Sequence, residues 1–509
     1  MTAPDSLAVR SVTSGAWLLG RRVAANAIRL AALAVLARRL EPADFGLAAL
    51  AQVLLSFVVI SQENGVATYV VYDRSEEREE RLSSAFWLSL TLTLAQVGLL
   101  GLIAPFATRL FPSAALLPVL LPVAGTFVLR QLQTVPEAIL RRSMEYRKLV
   151  ARDTACDLLA ALLSVVLALR GWGVWSLVLP HVAIEPIRLS LVFWLAGWRP
   201  GLDLGLRHWR AISRYALPLM GSNALNLVAN DGDTLLVGRL LGSQALGFYN
   251  LAWQLSNVVG RNLVSIASTV GMSAFALVAN DLARLREAYL RSVRLIALLS
   301  FPTLAAMLVL ANDVVLLLYG PNWTVSVTLL RILILFTIIR TVTTLSGVIF
   351  NVMGRTDLSL WFTIVFLPFY VAAIVVGARF GLVGVAWGVT LVRSVGAVGS
   401  FLLASRLIGL PQRRTMARLA PVCVTTTMTI AALFLAQTWS TDLPLVLRLA
   451  LCMIAGGLAC GLSILLLDRH GYRELVAVVR SLSPPAAGVL EAVGRWAAPS
   501  ARAEMAGRP

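Results

Sequence analysis

Charge is scarce in this sequence of 509 residues: 14% of it is charged, 58% is hydrophobic, and the mean hydropathy is +0.80. So much apolar surface cannot be hidden in a water-soluble core, which excludes a soluble globular domain and leaves an integral membrane protein. Lysine is nearly absent, Lys148 standing alone, so the formal charge of +18 is carried by arginine. These arginines are scattered between apolar stretches and form no basic stripe, which argues against a nucleic-acid partner and reads them as topology signals and cavity residues. The arginine bias fits a GC-rich genome, and it favours bidentate phosphate recognition wherever a guanidinium is buried. The four cysteines, Cys156, Cys423, Cys452 and Cys460, lie in apolar segments without metal-ligand spacing, so they read as small apolar residues and no metal or cofactor is expected. There is no Gly-rich phosphate loop, which argues against a nucleotide-driven pump. There is also no long outer loop of the kind a membrane glycosyltransferase or polymerase uses to hold its acceptor. Thr2 to Arg10 is short and polar, and no small-residue cleavage site follows, so no cleavable leader is expected.

What the sequence has in quantity is apolar segments of bilayer length. Fourteen are predicted: 15–37, 45–63, 84–104, 114–135, 152–169, 172–195, 213–236, 245–267, 289–311, 325–349, 357–377, 382–404, 416–436 and 445–467. The loops after the even-numbered segments hold about sixteen Arg or Lys and those after the odd-numbered ones about six. The positive-inside rule therefore places the even loops and both termini in the cytoplasm. Residues 281–294, with Arg284, Arg286, Arg291 and Arg294, are expected to form a helix lying at the cytoplasmic interface.

The stretch from Ser213 to Val259 repeats an earlier one. Arg239, Leu241, Gly247, Leu251 and Ala252 fall 201 positions after Arg38, Leu40, Gly46, Leu50 and Ala51. A second echo, Gly171-Trp172-Gly173-Val174-Trp175 against Gly381 to Trp387, is spaced by about 210. Two echoes at nearly one offset indicate a duplicated bundle, a mark of transporters. The expected fold is all-α and polytopic, with about 14 transmembrane helices. An N-lobe spans 1–195, a cytoplasmic linker 196–212 and a C-lobe 213–405; a helix pair at 416–467 and a partly disordered tail from 468 to 509 follow.

The informative residues are polar ones inside these segments, since an arginine at mid-membrane costs about 2.5–3.5 kcal/mol on insertion scales. Arg22, Asn26 and Arg29 share one helix face, as do Arg130, Thr134 and Glu137, and also His181, Glu185 and Arg188. Arg331 and Arg340 occupy the tenth segment. Asn223, Asn226, Asn230 and Asp233 line one face of the seventh, and Asn250, Gln254, Asn257 and Arg261 one face of the eighth. Amides offer donors and acceptors to sugar hydroxyls, and arginines suit a diphosphate, so together they describe a water-filled cavity for an anionic glycan. Other readings stand beside this. Arg22 and Arg29 can snorkel to the cytoplasmic face, Glu185 can form a structural pair with Arg188 or His181, and transmembrane Asn can join helix to helix. Asp231 and Asp233 can cap the turn before the eighth segment or bind a coupling cation, the cap being favoured.

The strings LARRLEPADFGLAAL (36–50), YALPLMGSNALNLVANDGDTLLVGRLLGSQALGFYNLAWQL (215–255), LYGPNW (318–323) and NVMGRTD (351–357) resemble the Wzx-type polysaccharide flippases, within the multidrug, oligosaccharidyl-lipid and polysaccharide exporter superfamily. The likeness runs from about residue 10 to 410 and is nearest to the colanic-acid and lipopolysaccharide exporters. It implies two six-helix lobes around a central cavity, alternating access, and a substrate of oligosaccharide repeat units on undecaprenyl pyrophosphate, turned from the cytoplasmic to the periplasmic face of the bacterial inner membrane. It also implies that segments 13 and 14 help form a groove for the polyprenyl tail.

On this reading Arg22, Arg29, Arg261 and Arg340 hold the pyrophosphate, and Asn223, Asn226, Asn230, Gln254 and Asn257 contact sugar hydroxyls. His181, Glu185 and Asp233 are candidate coupling residues. The chain is expected to be a transporter and not an enzyme. Its partners are the lipid-linked oligosaccharide and membrane lipids, with a polymerase and a chain-length regulator of the same pathway as candidates. A drug or cation antiporter of the same superfamily and a flippase for the peptidoglycan precursor are the alternatives.

Overall fold

The computed structural model describes residues 31–58, 65–72, 78–110 and 116–467, and among these there are helices and no strand. After a helical stretch at 31–39 come α1 (Pro42–Val58), α2 (Val66–Tyr72), α3 (Arg78–Leu110), α4 (Leu116–Leu132), α5 (Thr134–Arg142), α6 (Tyr146–Leu169), α7 (Trp175–Ala196) and α8 (Leu206–Leu277). The chain continues as α9 (Leu282–Val309), α10 (Ala311–Leu318), α11 (Thr324–Thr343), α12 (Leu345–Val352), α13 (Thr356–Ala378), α14 (Gly381–Leu407), α15 (Gln412–Trp439) and α16 (Leu445–Leu467).

Nine spans among the described residues are long and apolar enough to cross a membrane. The remaining expected segments are found in other forms. The second is α1, a shorter apolar helix; the fifth is α6, which opens with the polar run Tyr146-Arg147-Lys148; the first is described only from residue 31. The seventh and eighth both lie in α8, which is two helices meeting at Gly242, where φ 86° and ψ 174° fall in a region open essentially to glycine alone.

The described part forms two compact units, the first within Trp17–Asn250 with Leu318–Asn322, the second from Leu251–Leu317 and Trp323 onward. The first unit has a core around Val66, Leu82, Phe86, Val135 and Ile212. Its linker is pinned and not slack: Trp87 Nε1 donates to Gly201 O at 2.8 Å, Gly201 N to Ser83 Oγ at 2.9 Å, and Ser84 Oγ to Gly205 O at 2.8 Å. The second unit is built on Leu285, Tyr289, Phe350 and Phe401, and α15 and α16 dock on α9 and its C-terminal end through Leu433, Leu449 and Cys452 against Val309 and Leu310.

Residues 281–294 are no separate interfacial helix, because α9 runs unbroken from an N-cap at Asp281, whose carboxylate accepts from Ala283 N and Arg284 N. Arginines at intervals hid an apolar face on which Leu285, Tyr289, Leu290 and Val293 are buried. Arg286 Nε donates to Ile408 O at 2.5 Å, and Arg418 pairs with Glu287 at 2.9 Å, so two charges in this run are tied to the following helices.

Both sequence echoes reappear in the backbone. Met144 and Gly354, 210 positions apart, both have positive φ (59° and 69°) just before α6 and α13; Gly171 and Gly381, also 210 apart, have φ of 78° and 73° after those helices. The 201-residue echo is a crossing. A Cβ on Gly46 would overlap the carbonyl oxygen of Ser243, and one on Gly247 would overlap that of Pro42. Since Ser243 stands to Pro42 as Gly247 stands to Gly46, the repeated segments contact each other reciprocally.

Gly46→Ala and Gly247→Ala should each cost about 1–3 kcal/mol, as overpacking does, lowering the thermal midpoint of the purified protein. Gly98→Ala, in α3 with no atom within 4 Å of the added carbon, should leave the midpoint unchanged or raise it.

Candidate functional site

Several candidates can be placed only in part. Arg22, Asn26 and Arg29 lie outside the described residues. Asn223, Asn226, Asn230 and Arg261 lie on the α8 backbone, and their side chains are outside the described residues. Gln254, Asn257 and Arg340, with His181, Glu185 and Asp233, are described in full.

In the second unit, Arg340 and Asn257 meet. Arg340 Nη1 donates to Asn257 Oδ1 at 2.7 Å, and Asn257 Nδ2 donates to Trp253 O at 2.9 Å, one turn back along α8. The amide is thus oriented: its oxygen faces a cation while its nitrogen holds the helix. Arg340 sits in the last turn of α11, where its own carbonyl accepts from Thr344 N at 3.0 Å and Thr344 Oγ1 at 2.6 Å, so the chain runs on into α12 with little break. Gln254 is exposed beside this turn.

A second guanidinium stands next to the same turn, on a residue absent from the polar stripes read in the sequence. Arg393, midway along α14, lies 4.8 Å from the centroid of Trp253, 5.8 Å from Phe336 and 4.6 Å from Tyr370, and donates to Tyr370 OH at 2.5 Å. Trp253 and Phe336 stack at 6.2 Å with an interplanar angle of 6°. Each cation–π contact is worth about 0.5–2 kcal/mol, more where water is excluded, and this helps meet the cost of a charge in mid-helix. The signal was present: Arg393 is the one charge in the long apolar run from Gly381 to Ala404, which needs a partner or a role as much as Arg340 does. With Gln254 and Asn257, two guanidiniums and two amides meet around one turn, able to hold phosphate oxygens by paired N–H donors and hydroxyls by amide groups.

In the first unit a set of charges on α4 to α7 is paired within itself. Glu185 is 2% exposed and accepts from Arg130 Nη2 at 3.1 Å and Gln133 Nε2 at 2.9 Å, with Arg188 Nε 4.0 Å away. Arg188 pairs with Asp157 at 3.0 Å. Arg152, its side chain 2% exposed, bridges Glu137 at 2.5 Å and Asp153 at 2.7 Å, and Glu137 also takes Arg141 at 2.9 Å. Of Arg130, Thr134 and Glu137, expected on one face, Arg130 pairs with Glu185 of α7 and Glu137 with Arg152 of α6. His181 is exposed one turn before Glu185.

Asp233 does not cap a turn end, since the helix continues to the bend at Gly242. It is 1% exposed, accepts from Tyr249 OH at 2.8 Å and from Thr234 N at 2.9 Å, and so ties the two arms of α8 across the bend. No group of three or more His, Cys, Asp or Glu able to hold a metal occurs among the described residues.

The chain is similar to known proteins along most of its length. Residues 35–328 match a family model described as "Polysaccharide biosynthesis protein". The succinoglycan biosynthesis transport protein ExoT of Rhizobium meliloti is 26% identical over 92% of this chain and 96% of its own length. The lipopolysaccharide biosynthesis protein WzxC of Escherichia coli is 24% identical over 78% of this chain and 81% of its own. Among solved structures, the lipid II flippase MurJ in an inward closed conformation is similar with a TM-score of 0.70 at 11% identity, over 88% of this chain and 98% of that one. An inward-facing multidrug resistance MATE family transporter is similar at 0.59 and 18% identity, over 75% and 94%. At such identities the likeness shows the fold.

Glu185→Gln should destabilise the protein by about 1–3 kcal/mol, because it keeps the shape and removes the charge that Arg130 and Arg188 face. His181→Gln should leave thermal unfolding of the purified protein unchanged.

Proposed function

This chain belongs to the family of polysaccharide biosynthesis proteins, and from that premise we propose that it carries undecaprenyl-pyrophosphate-linked oligosaccharides from the cytoplasmic to the periplasmic face of the bacterial inner membrane. The observation that carries the reading is the pair of guanidiniums, Arg340 and Arg393, beside the amide-bearing turn Trp253–Asn257 within apolar helices. The near full-length match to a succinoglycan biosynthesis transport protein supports a glycan substrate.

The physical problem is to move a charged, hydrated headgroup past hydrocarbon in which it cannot be solvated. Arg340 and Arg393, with Arg22, Arg29 and Arg261, hold the pyrophosphate. Gln254, Asn257, Asn223, Asn226 and Asn230 exchange hydrogen bonds with sugar hydroxyls, and the polyprenyl chain stays in lipid. The pyrophosphate displaces Asn257 from Arg340, so the resting bond keeps the guanidinium oriented while the site is empty. Alternating access opens these groups first to one face and then to the other. Chemistry on the glycan is left to other proteins, a polymerase and a chain-length regulator among them, and both termini lie in the cytoplasm.

An exporter of cationic drugs would need acids and open aromatic faces. Here the aromatic group of Trp253, Phe336 and Tyr370 is already filled by the protein's own Arg393.

In a deletion strain complemented at equal protein level, Arg340→Ala and Arg393→Ala should each lower polysaccharide export at least tenfold, about 1.4 kcal/mol or more of lost headgroup binding. Normal export by the double variant, or drug resistance conferred on a pump-deficient host by the wild-type gene, would overturn the reading.

A further inference from the structure

At one end of the second unit, away from Arg340 and Arg393, lies a cavity of about 710 Å³. The end of α9, the start of α10, the second turn of α11, the end of α15 and the start of α16 form its walls. It lies where α15 ends and α16 begins, at the end of these helices opposite the arginine-rich run 406–414, which is the outer side on the orientation expected from loop charge.

Its lining is unusual for the end of apolar helices. Arg448 is ion-paired with Asp313, whose side chain is 5% exposed, and Arg448 Nε is buried without an acceptor. Arg331 is exposed in the cavity, and among the described residues it has no hydrogen bond or ion pair. Asn312, Gln437 and Thr441 add neutral donors and acceptors. Two guanidiniums against one carboxylate leave the walls one positive charge in excess. A free guanidinium ringed by amides and a hydroxyl suits one oxyanion and adjoining hydroxyl groups. The volume lies within the range of about 300–1,000 Å³ common to small-molecule sites.

We propose that this cavity binds a hydroxyl-bearing anion, with the phosphate or carboxylate on Arg331 and the hydroxyls on Asn312, Gln437 and Thr441. Arg448 and Asp313 hold the wall in shape. Two sources carry that chemistry: the headgroup of phosphatidylglycerol from the surrounding bilayer, and an acidic sugar of a glycan. The site is separate from the transport site proposed above and does not depend on it.

The test is direct binding to the purified full chain in phosphatidylcholine nanodiscs. Four probes are titrated: dioctanoyl-phosphatidylglycerol, glucuronate, and as neutral controls dioctanoyl-phosphatidylcholine and glucose. At least one anionic probe should saturate, binding at least tenfold more tightly than its neutral control. Arg331→Gln should weaken that binding about tenfold without moving the thermal midpoint. Saturation by the lipid probe alone assigns the cavity to a lipid headgroup, and saturation by glucuronate alone to an acidic sugar. If neither anion saturates, or if Arg331→Gln binds as the wild type does, the proposal is wrong. Arg340→Ala, outside this cavity, should bind as the wild type does; if it weakens binding equally, the anion is held elsewhere and the proposal also fails.

Discussion

Where Gly46 and Gly247 would carry Cβ atoms, the carbonyl oxygens of Ser243 and Pro42 already stand. Backbone can come this near to backbone only if both positions lack a side chain, and in a membrane such approaches supply packing that apolar side chains, no better off against each other than against lipid, do not. The contact is reciprocal, each repeat meeting the other at the same place in its own sequence. It joins α1 to α8 just beyond the bend at Gly242. The same bend lets Asp233 on one arm reach Tyr249 on the other. An alanine at any of the three glycines opposes either a carbonyl oxygen or a backbone angle.

Given that frame, the cost of burying charge divides the molecule into two kinds of region. In the first unit, Arg130, Glu185, Arg188, Asp157, Arg152 and Glu137 form pairs in which each buried cation has a carboxylate at hand. These pairs fix the orientation of α4 to α7. In the second unit, Arg340 faces a neutral amide and Arg393 faces aromatic rings, so neither of these two contacts neutralises its cation.

Much of this could be read from the sequence because it depends on spacing. The hydrophobic windows found the helices, and the glycine echoes found the duplication, since each marks a place where geometry admits little else. The turn before α6 is the exception that explains the rule: Met144 takes the positive φ that Gly354 takes in the second copy, so composition alone shows only one of the two. What could not be read is pairing between distant elements. Nothing near Glu185 in sequence names Arg130 and Gln133, and nothing near Asp233 names Tyr249 until the bend at Gly242 is known. Arg393 belongs to no stripe of polar residues on one face; it is a lone arginine among Gly, Val and Leu, legible only as the single charge of its run. The run 281–294 is the converse case: Arg284 and Arg291 are exposed, but the same helix buries Leu285, Tyr289, Val293 and Arg294 itself.

The central claim is that the chain moves a lipid-linked glycan across the membrane. The most direct test asks on which face that glycan sits in sealed right-side-out vesicles from a deletion strain, by its accessibility to an impermeant sugar-modifying reagent. Complete undecaprenyl-linked units protected inside the vesicles, and exposed once the wild-type gene is restored, are the result expected. Complete units already accessible outside in the deletion strain, or none accumulated at all, would contradict the account.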